Sequence, residues 1–247
     1  MLGRPAAIIF DFNGVIADDE SPHFVAFQQA LQEEGLVLSA EEYYGSYLGM
    51  DERTCVSALL QERTGANDPL REQRIHDRKA SLFKAYTATH KPPLFPGVAS
   101  FVAHAAERCR LAIATGGRRE QVLFALEGTP IENHFELLVS AEDVQAGKPD
   151  PAIYQLALAR LNALAPGARI LKPKDCLVIE DSLAGIHSAI KAGMKVLAVA
   201  TTYPAHQLRE ADRVVHDLNG IRFDALTELF DEPDDQRVER ARKAGSP

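Results

Sequence analysis

The sequence predicts an α/β fold, a doubly wound parallel sheet with a block of helices inserted after its first strand. Three observations carry that expectation. The apolar run Ala6-Ala7-Ile8-Ile9-Phe10 breaks off in Asp11-Phe12-Asn13-Gly14, as a strand buried on both faces does where it leaves a sheet. From about residue 95 onward, short apolar runs alternate with amphipathic stretches, the pattern of parallel βαβ units. Between the two lies a long segment, through His90, that reads as helix with no convincing strand.

Taken in order, the first strand turns into the acidic run Asp18-Asp19-Glu20, and Ser21-Pro22 then predicts a helix start, with Ser at the N-cap and Pro in the first turn. Phe24, Phe27 and Leu31 share a face of that helix, and Gly35 suits the residue that ends it. Ser39-Ala40-Glu41-Glu42 has the spacing of a capping box. Gly65 to Pro69 breaks the pattern, and Leu70 to Ala88 reads as a long helix with a polar face. The linker Lys91-Pro92-Pro93-Leu94-Phe95-Pro96-Gly97 closes the block. Beyond it, Val98, Phe101, Val102 and Ala105 mark one helix, and Leu111–Ala114 is a strand ending in Thr115-Gly116-Gly117. A helix from Arg118 to Glu127 and a strand at Leu137–Ser140 follow. After the loop Gly147-Lys148-Pro149-Asp150-Pro151 comes a helix with Ile153, Leu156, Ala157, Leu161 and Leu164 on one face. Cys176–Ile179 is a strand ending in Glu180-Asp181, followed by a helix capped by Ser182 and ended by Gly193. Val196–Val199 and Val214-Val215 complete the sheet. The expected organisation is a core of residues 1–17 and 95–230, a helical block at 18–94 and a charged tail at 231–247.

A net charge of -8 argues against a general binder of nucleic acid or of anionic membranes, so neither is expected as a partner. No apolar run is long enough to cross a bilayer. The five residues before the first strand leave no room for a signal peptide. Cys55, Cys109 and Cys176 are odd in number and widely spaced, which fits buried thiols in a reducing cytoplasm.

The polar strand ends suggest chemistry. In a parallel sheet the C-terminal ends of strands share one edge, where ligands bind. Asp11 and Asn13, Thr115, and Glu180-Asp181 would therefore converge, with Lys148 able to reach them from its loop. A nucleophilic carboxylate, further carboxylates for a hard cation, a hydroxyl and a lysine make a set suited to phosphoryl transfer. Gly14 permits the sharp turn that aims backbone amides at the same place.

These elements resemble the four motifs of the haloacid dehalogenase-like hydrolase superfamily, in the right order and spacing from residue 6 to about 200. Asp11-Phe12-Asn13-Gly14-Val15 is similar to the first motif, Thr115 to the second, Lys148 to the third, and Ile179-Glu180-Asp181-Ser182 to the fourth. The helical block resembles the cap of the subgroup containing β-phosphoglucomutase and sugar-phosphate phosphatases. The resemblance implies a Rossmann-like core with an inserted α-helical cap domain. It implies Asp11 as nucleophile, and Mg2+ held by Asp11, the carbonyl of Asn13, Asp181 and Glu180, the last directly or through water. Thr115 and the amides near Gly116 and Gly117 would bind phosphate, and Lys148 would pair with nucleophile and phosphate. His23 and Arg53 would help bind a small phosphorylated metabolite, and Arg118, which by its own position begins a helix near the phosphate site, would attract the anion. The chain would be a monomer or weak homodimer.

One departure stands out. Phosphatases of this family carry a second aspartate two residues after the nucleophile, as general acid and base, and here that position is Asn13. An amide can hydrogen-bond but exchanges no proton at neutral pH. The resemblance thus implies a phosphate-monoester hydrolase or a phosphomutase with weakened catalysis. The alternatives are an impaired relative that binds a phosphorylated ligand or a protein partner, and a dehalogenase.

Overall fold

A computed structural model describes residues 4–43, 47, 52–66 and 68–231, with residues 20, 52–54 and 231 described by their backbone alone. The chain divides into two compact units, 1–17 with 94–247, and Asp18–Pro93.

The first unit is built on six parallel strands: β1 (Ala7–Phe10), β2 (Arg110–Ala114), β3 (Leu137–Val139), β4 (Cys176–Glu180), β5 (Lys195–Val199) and β6 (Arg213–Val215). Their order is β3-β2-β1-β4-β5-β6, with β1 central and the winding direction reversing across it. Phe10 is level with Ile113 on one side and Ile179 on the other. Asp11, Thr115 and Asp181 therefore leave the sheet at the same edge, beside the switch point where open α/β sheets hold ligands.

Both faces of the sheet are covered, so its strands read as continuous apolar runs rather than alternating ones. Ile8 and Phe10 turn to one layer, packed with Val98, Phe101, Val102 and Ala105 of α5 (Val98–Ala106) and with Val122 and Ala125 of α6 (Arg119–Leu126). Ala7 and Ile9 turn to the other, against α7 (Ala152–Leu164) and α8 (Leu183–Lys191). Ser182 caps α8 by accepting from the Gly185 N–H, as its sequence position suggests. One expected core residue falls outside: Leu164 is 56% exposed. The guanidinium of Arg110, at the start of β2, already reaches the Leu161 carbonyl, so Leu164 lies past the edge of the sheet that α7 covers.

The second unit is helical: α1 (Glu20–Glu33), α2 (Ala40–Glu42), α3 (Glu52–Thr64) and α4 (Pro69–Thr87). Its core gathers Phe27, Leu31, Leu38, Val56, Leu59, Leu60 and Ile75. Ser39 and Glu42 form the expected capping box. The start of α1 differs from expectation, because Asp19 and not Ser21 is the N-cap, and it caps without a side-chain bond. The Asp18 N–H donates to the Pro93 carbonyl (2.9 Å), which sets the chain's direction before Ser21, and Pro22 sits inside the first turn, where a missing N–H costs nothing. Among the described residues no helix is long and apolar enough to cross a membrane. The charged tail expected at 231–247 lies outside the described residues from 232 onward.

Candidate active site

The sheet edge carries a buried cluster of charge. Asp11 leaves β1 with its N–H bonded to the Ile179 carbonyl (2.9 Å), and its Oδ1 accepts from the Phe12 N–H (2.7 Å). Its Oδ2 meets Lys148 Nζ at 2.9 Å, and the same ammonium donates to Glu180 Oε1 at 2.6 Å. Lys148 thus bridges the ends of β1 and β4 from the loop that precedes α7.

Glu180 is wholly buried and hydrogen-bonded at both of its oxygens. Oε1 accepts from Lys148 and from the Tyr154 hydroxyl (2.7 Å). Oε2 accepts from the Asp181 N–H (3.0 Å), the Ser182 N–H (3.1 Å) and the Ser182 hydroxyl (3.0 Å). The carboxylate fills the space where a side chain at Gly185 would begin, so α8 needs glycine there.

Asp181 is held differently. Thr202, from the loop after β5, donates its hydroxyl to Asp181 Oδ2. Gly14 lies against that carboxylate, so a Cβ there would overlap Oδ2, and its φ of 74° is one that L side chains rarely adopt. Thr201 donates to the Gly14 carbonyl (2.5 Å), and the Gly14 N–H donates to the Ala17 carbonyl (3.0 Å), so the turn is clasped on both sides.

On the β2 side, Thr115 is buried and its hydroxyl oxygen accepts from the Gly117 N–H (3.0 Å). A methyl group on Gly117 would lie 3.3 Å from Thr115 Oγ1 and 3.6 Å from Asn13 Oδ1, which puts the Asn13 amide beside this turn. The Gly117 carbonyl accepts from the Ala141 N–H (3.2 Å), tying the turn to the end of β3. Arg118 is exposed at the N-cap of α6. Its neighbour Arg119 faces away from ligand duty: its guanidinium donates to the Leu138 carbonyl and to Asp143, which also pairs with Arg160.

The electrostatics follow from burial. Desolvation pushes Asp11 up to about 6, although Lys148 pulls the other way. Desolvation, then the charges of Glu180 and Asp11, hold Asp181 well above the usual carboxylate range. Glu180 is below it: burial would raise it, but Lys148 and the hydrogen bonds prevail. Burial and the Glu180 charge keep the Tyr154 phenol protonated. Three carboxylates face one ammonium, and one oxygen from each of Asp11, Glu180 and Asp181 lies within 4.8 Å of the others. This all-oxygen set, in excess negative charge, fits a divalent cation.

The structure therefore brings together Asp11, Asn13, Gly14, Thr115, Gly116, Gly117, Lys148, Glu180 and Asp181 in one unit. His23 belongs to the helical unit. There its Nδ1 meets Lys79 Nζ at 2.8 Å, its Nε2 meets Asp19 at 3.5 Å, and its ring stacks on Phe83. Arg53 falls in α3, and its side chain lies outside the described part of the chain. Sequence reasoning missed Tyr154 and Thr202. Thr202 was within reach of the same rule that found Thr115, since it lies just past the end of β5 at the shared edge.

Comparison with known proteins finds relatives over most of the chain. The profile of the haloacid dehalogenase-like hydrolase family matches residues 8–199. A phosphorylated carbohydrates phosphatase from Thermotoga maritima is 30% identical over 192 residues, 76% of this chain and 82% of the relative. The protein CbbY of Rhodobacter capsulatus is 30% identical over 242 residues, 90% of this chain and 98% of that protein. Among solved structures, an aspartate-to-asparagine mutant of CbbY from Rhodobacter sphaeroides, in complex with xylulose-(1,5)bisphosphate, superposes with a TM-score of 0.64 at 29% identity, covering 87% of this chain and 96% of the other. The chain belongs to the haloacid dehalogenase-like hydrolase family.

Proposed function

We propose that this chain hydrolyses the phosphate monoester of a small carbohydrate, with Asp11 as the nucleophile. The observation that carries the reading is the placement of Lys148, whose one ammonium lies on both Asp11 (2.9 Å) and Glu180 (2.6 Å) at the switch point of the sheet. The related phosphatase from Thermotoga maritima and the sugar bisphosphate held by the CbbY mutant point to the substrate class.

In this reading the Asp11 carboxylate attacks phosphorus, a bond forms from its oxygen, and the ester oxygen leaves with the bonding pair. Lys148 and the Thr115–Gly117 turn hold the phosphoryl oxygens as charge moves onto the leaving group. Mg2+ bound by Asp11, Asp181 and the Asn13 carbonyl, with Glu180 direct or through water, would offset the repulsion between nucleophile and substrate. The helical unit serves as a cap whose His23 and Arg53 select the substrate, and Arg118 adds positive charge near the phosphate.

Asn13 sets the limit on rate. Its amide hydrogen-bonds the leaving oxygen without protonating it, and activates no water against the aspartyl-phosphate. Turnover of sugar phosphates is therefore slow, aryl and acyl phosphates are favoured, and phosphorylated Asp11 accumulates. The same residue supports the second reading, a relative that binds a phosphorylated ligand without turning it over. A screen of phosphorylated metabolites with Mg2+, with Asp11→Asn as control, decides between them. Release of phosphate by the parent and not by the control supports the hydrolase. Binding without release supports the second reading, and equal release by both overturns the first.

A further inference from the structure

We propose that Tyr154 is a positioning residue for phosphoryl transfer, holding Glu180 so that Lys148 stays aimed at Asp11; the proposal rests on the function inferred above. Tyr154 lies in the first turn of α7, wholly buried among Ile153, Ala157, Leu158 and Leu161. Phenylalanine would fill the same apolar layer. A hydroxyl in such a place is costly unless it finds a partner. Its partner is Glu180 Oε1, at 2.7 Å, the same oxygen that receives Lys148. The ring adds a second contact, with Lys148 Nζ 5.2 Å from its centroid, inside cation–π range.

The consequence lies in how Lys148 is shared. Glu180 Oε2 has three donors of its own, so the carboxylate is pinned by its far oxygen. On Oε1 the phenol takes up part of the negative charge that would otherwise draw the ammonium. Without that O–H, Lys148 moves toward Glu180 and away from Asp11 Oδ2, where the phosphoryl oxygens must be met. Tyr154 acts on the reaction through Lys148, with effect on the rate of chemistry and little on substrate affinity.

The test is Tyr154→Phe with two readouts. With the best substrate of the parent, kcat falls roughly tenfold and KM is unchanged, the scale of one lost hydrogen bond to a charged group. With beryllium trifluoride and Mg2+, a fluoride adduct on Asp11 mimics the bound phosphoryl group, and 19F NMR reports its surroundings. The fluorine that faces Lys148 shifts in Tyr154→Phe while the other two hold. A general loss of structure would instead broaden or abolish all three resonances. Fluorotyrosine at position 154 keeps the ring and strengthens donation, and it covers the case in which the phenylalanine variant does not fold. It moves the same resonance in the opposite sense. Unchanged kcat and unchanged resonances in a variant that forms the adduct overturn the proposal. A parent that forms no adduct and shows no turnover overturns the functional reading itself, and is thereby told apart from failure of the Tyr154 argument alone.

Discussion

The two units of the chain use the same kinds of ion pair in opposite ways. In the helical unit, Arg74 and Arg78 of α4 reach Glu34 and Glu33, next to the C-terminal end of α1, at the surface, where water screens them. At the sheet edge, Lys148 meets Asp11 and Glu180 with almost no solvent access, and three carboxylates share one ammonium. Pairs of the first kind contribute little and disturb little. The second arrangement is costly to hold and is poised for a ligand that restores charge balance. The difference teaches where function sits in this molecule: in the charge whose balance burial leaves unfinished.

The largest test of that contrast is Lys148→Met. Loss of the ammonium that Asp11 and Glu180 share should lower turnover by roughly a hundred- to a thousandfold, the scale of a transition-state donor, as read by phosphate release at saturating substrate. Asn13→Asp works in the other direction and should raise sugar-phosphate hydrolysis by roughly a hundredfold, with a smaller gain on aryl phosphates. That comparison needs parent protein shown by mass spectrometry to be undeamidated, because Asn-Gly pairs close readily to succinimide. Here both sides of Gly14 are hydrogen-bonded, through its N–H to Ala17 and its carbonyl to Thr201. The folded protein should accordingly keep Asn13 intact longer than the same protein held in denaturant.

Stability against pH separates two carboxylates of the same unit. Asp11 has a folded value near 6 against an ordinary 3.8, so the metal-free fold holds the extra proton. Its contribution is full below 3.8 and is lost as pH rises through about 6. Thermal melts of metal-free protein should therefore show Tm falling from mildly acidic to neutral pH, less steeply in Asp11→Asn, and recovering when Mg2+ is added. Asp143 behaves oppositely. Burial would raise it, but Arg160, Ser140 and Arg119 hold it well below 3.8, so its contribution is present at neutral pH and lost as pH falls through that range. Asp143→Asn should lower Tm by a few degrees at neutral pH and leave it unchanged in strong acid. The smallest effect belongs to the helical unit: Arg78→Ala should leave both Tm and turnover within experimental scatter.

Much of the sheet and its edge was legible in the sequence, for a physical reason. Strands buried on both faces are unbroken apolar runs, so Asp11, Thr115 and Glu180-Asp181 stood out as the points where those runs stop. Parallel pairing then gathers such points on one edge. Tyr154 was not legible, because a ring in an apolar helix face looks the same whether or not its hydroxyl has a distant partner. Leu164 was misplaced because periodicity gives the face of a helix and not where the sheet beneath it ends. At α1, Ser21-Pro22 has the composition of a cap, yet the Asp18–Pro93 hydrogen bond starts the helix earlier. In the helical unit the core pattern was plain, while His23 and Lys79 meet only through the packing of α1 and α4.

The central claim, that the buried edge acts through Asp11 as nucleophile, is tested most directly by trapping. The protein is mixed with Mg2+ and an acyl phosphate, quenched in acid, digested and examined by mass spectrometry. One added phosphoryl group is expected on the peptide containing Asp11, persisting because Asn13 activates no water, and none in Asp11→Asn. A parent that releases phosphate catalytically while Asp11 stays unmodified, or that carries the phosphoryl group on another residue, would contradict it.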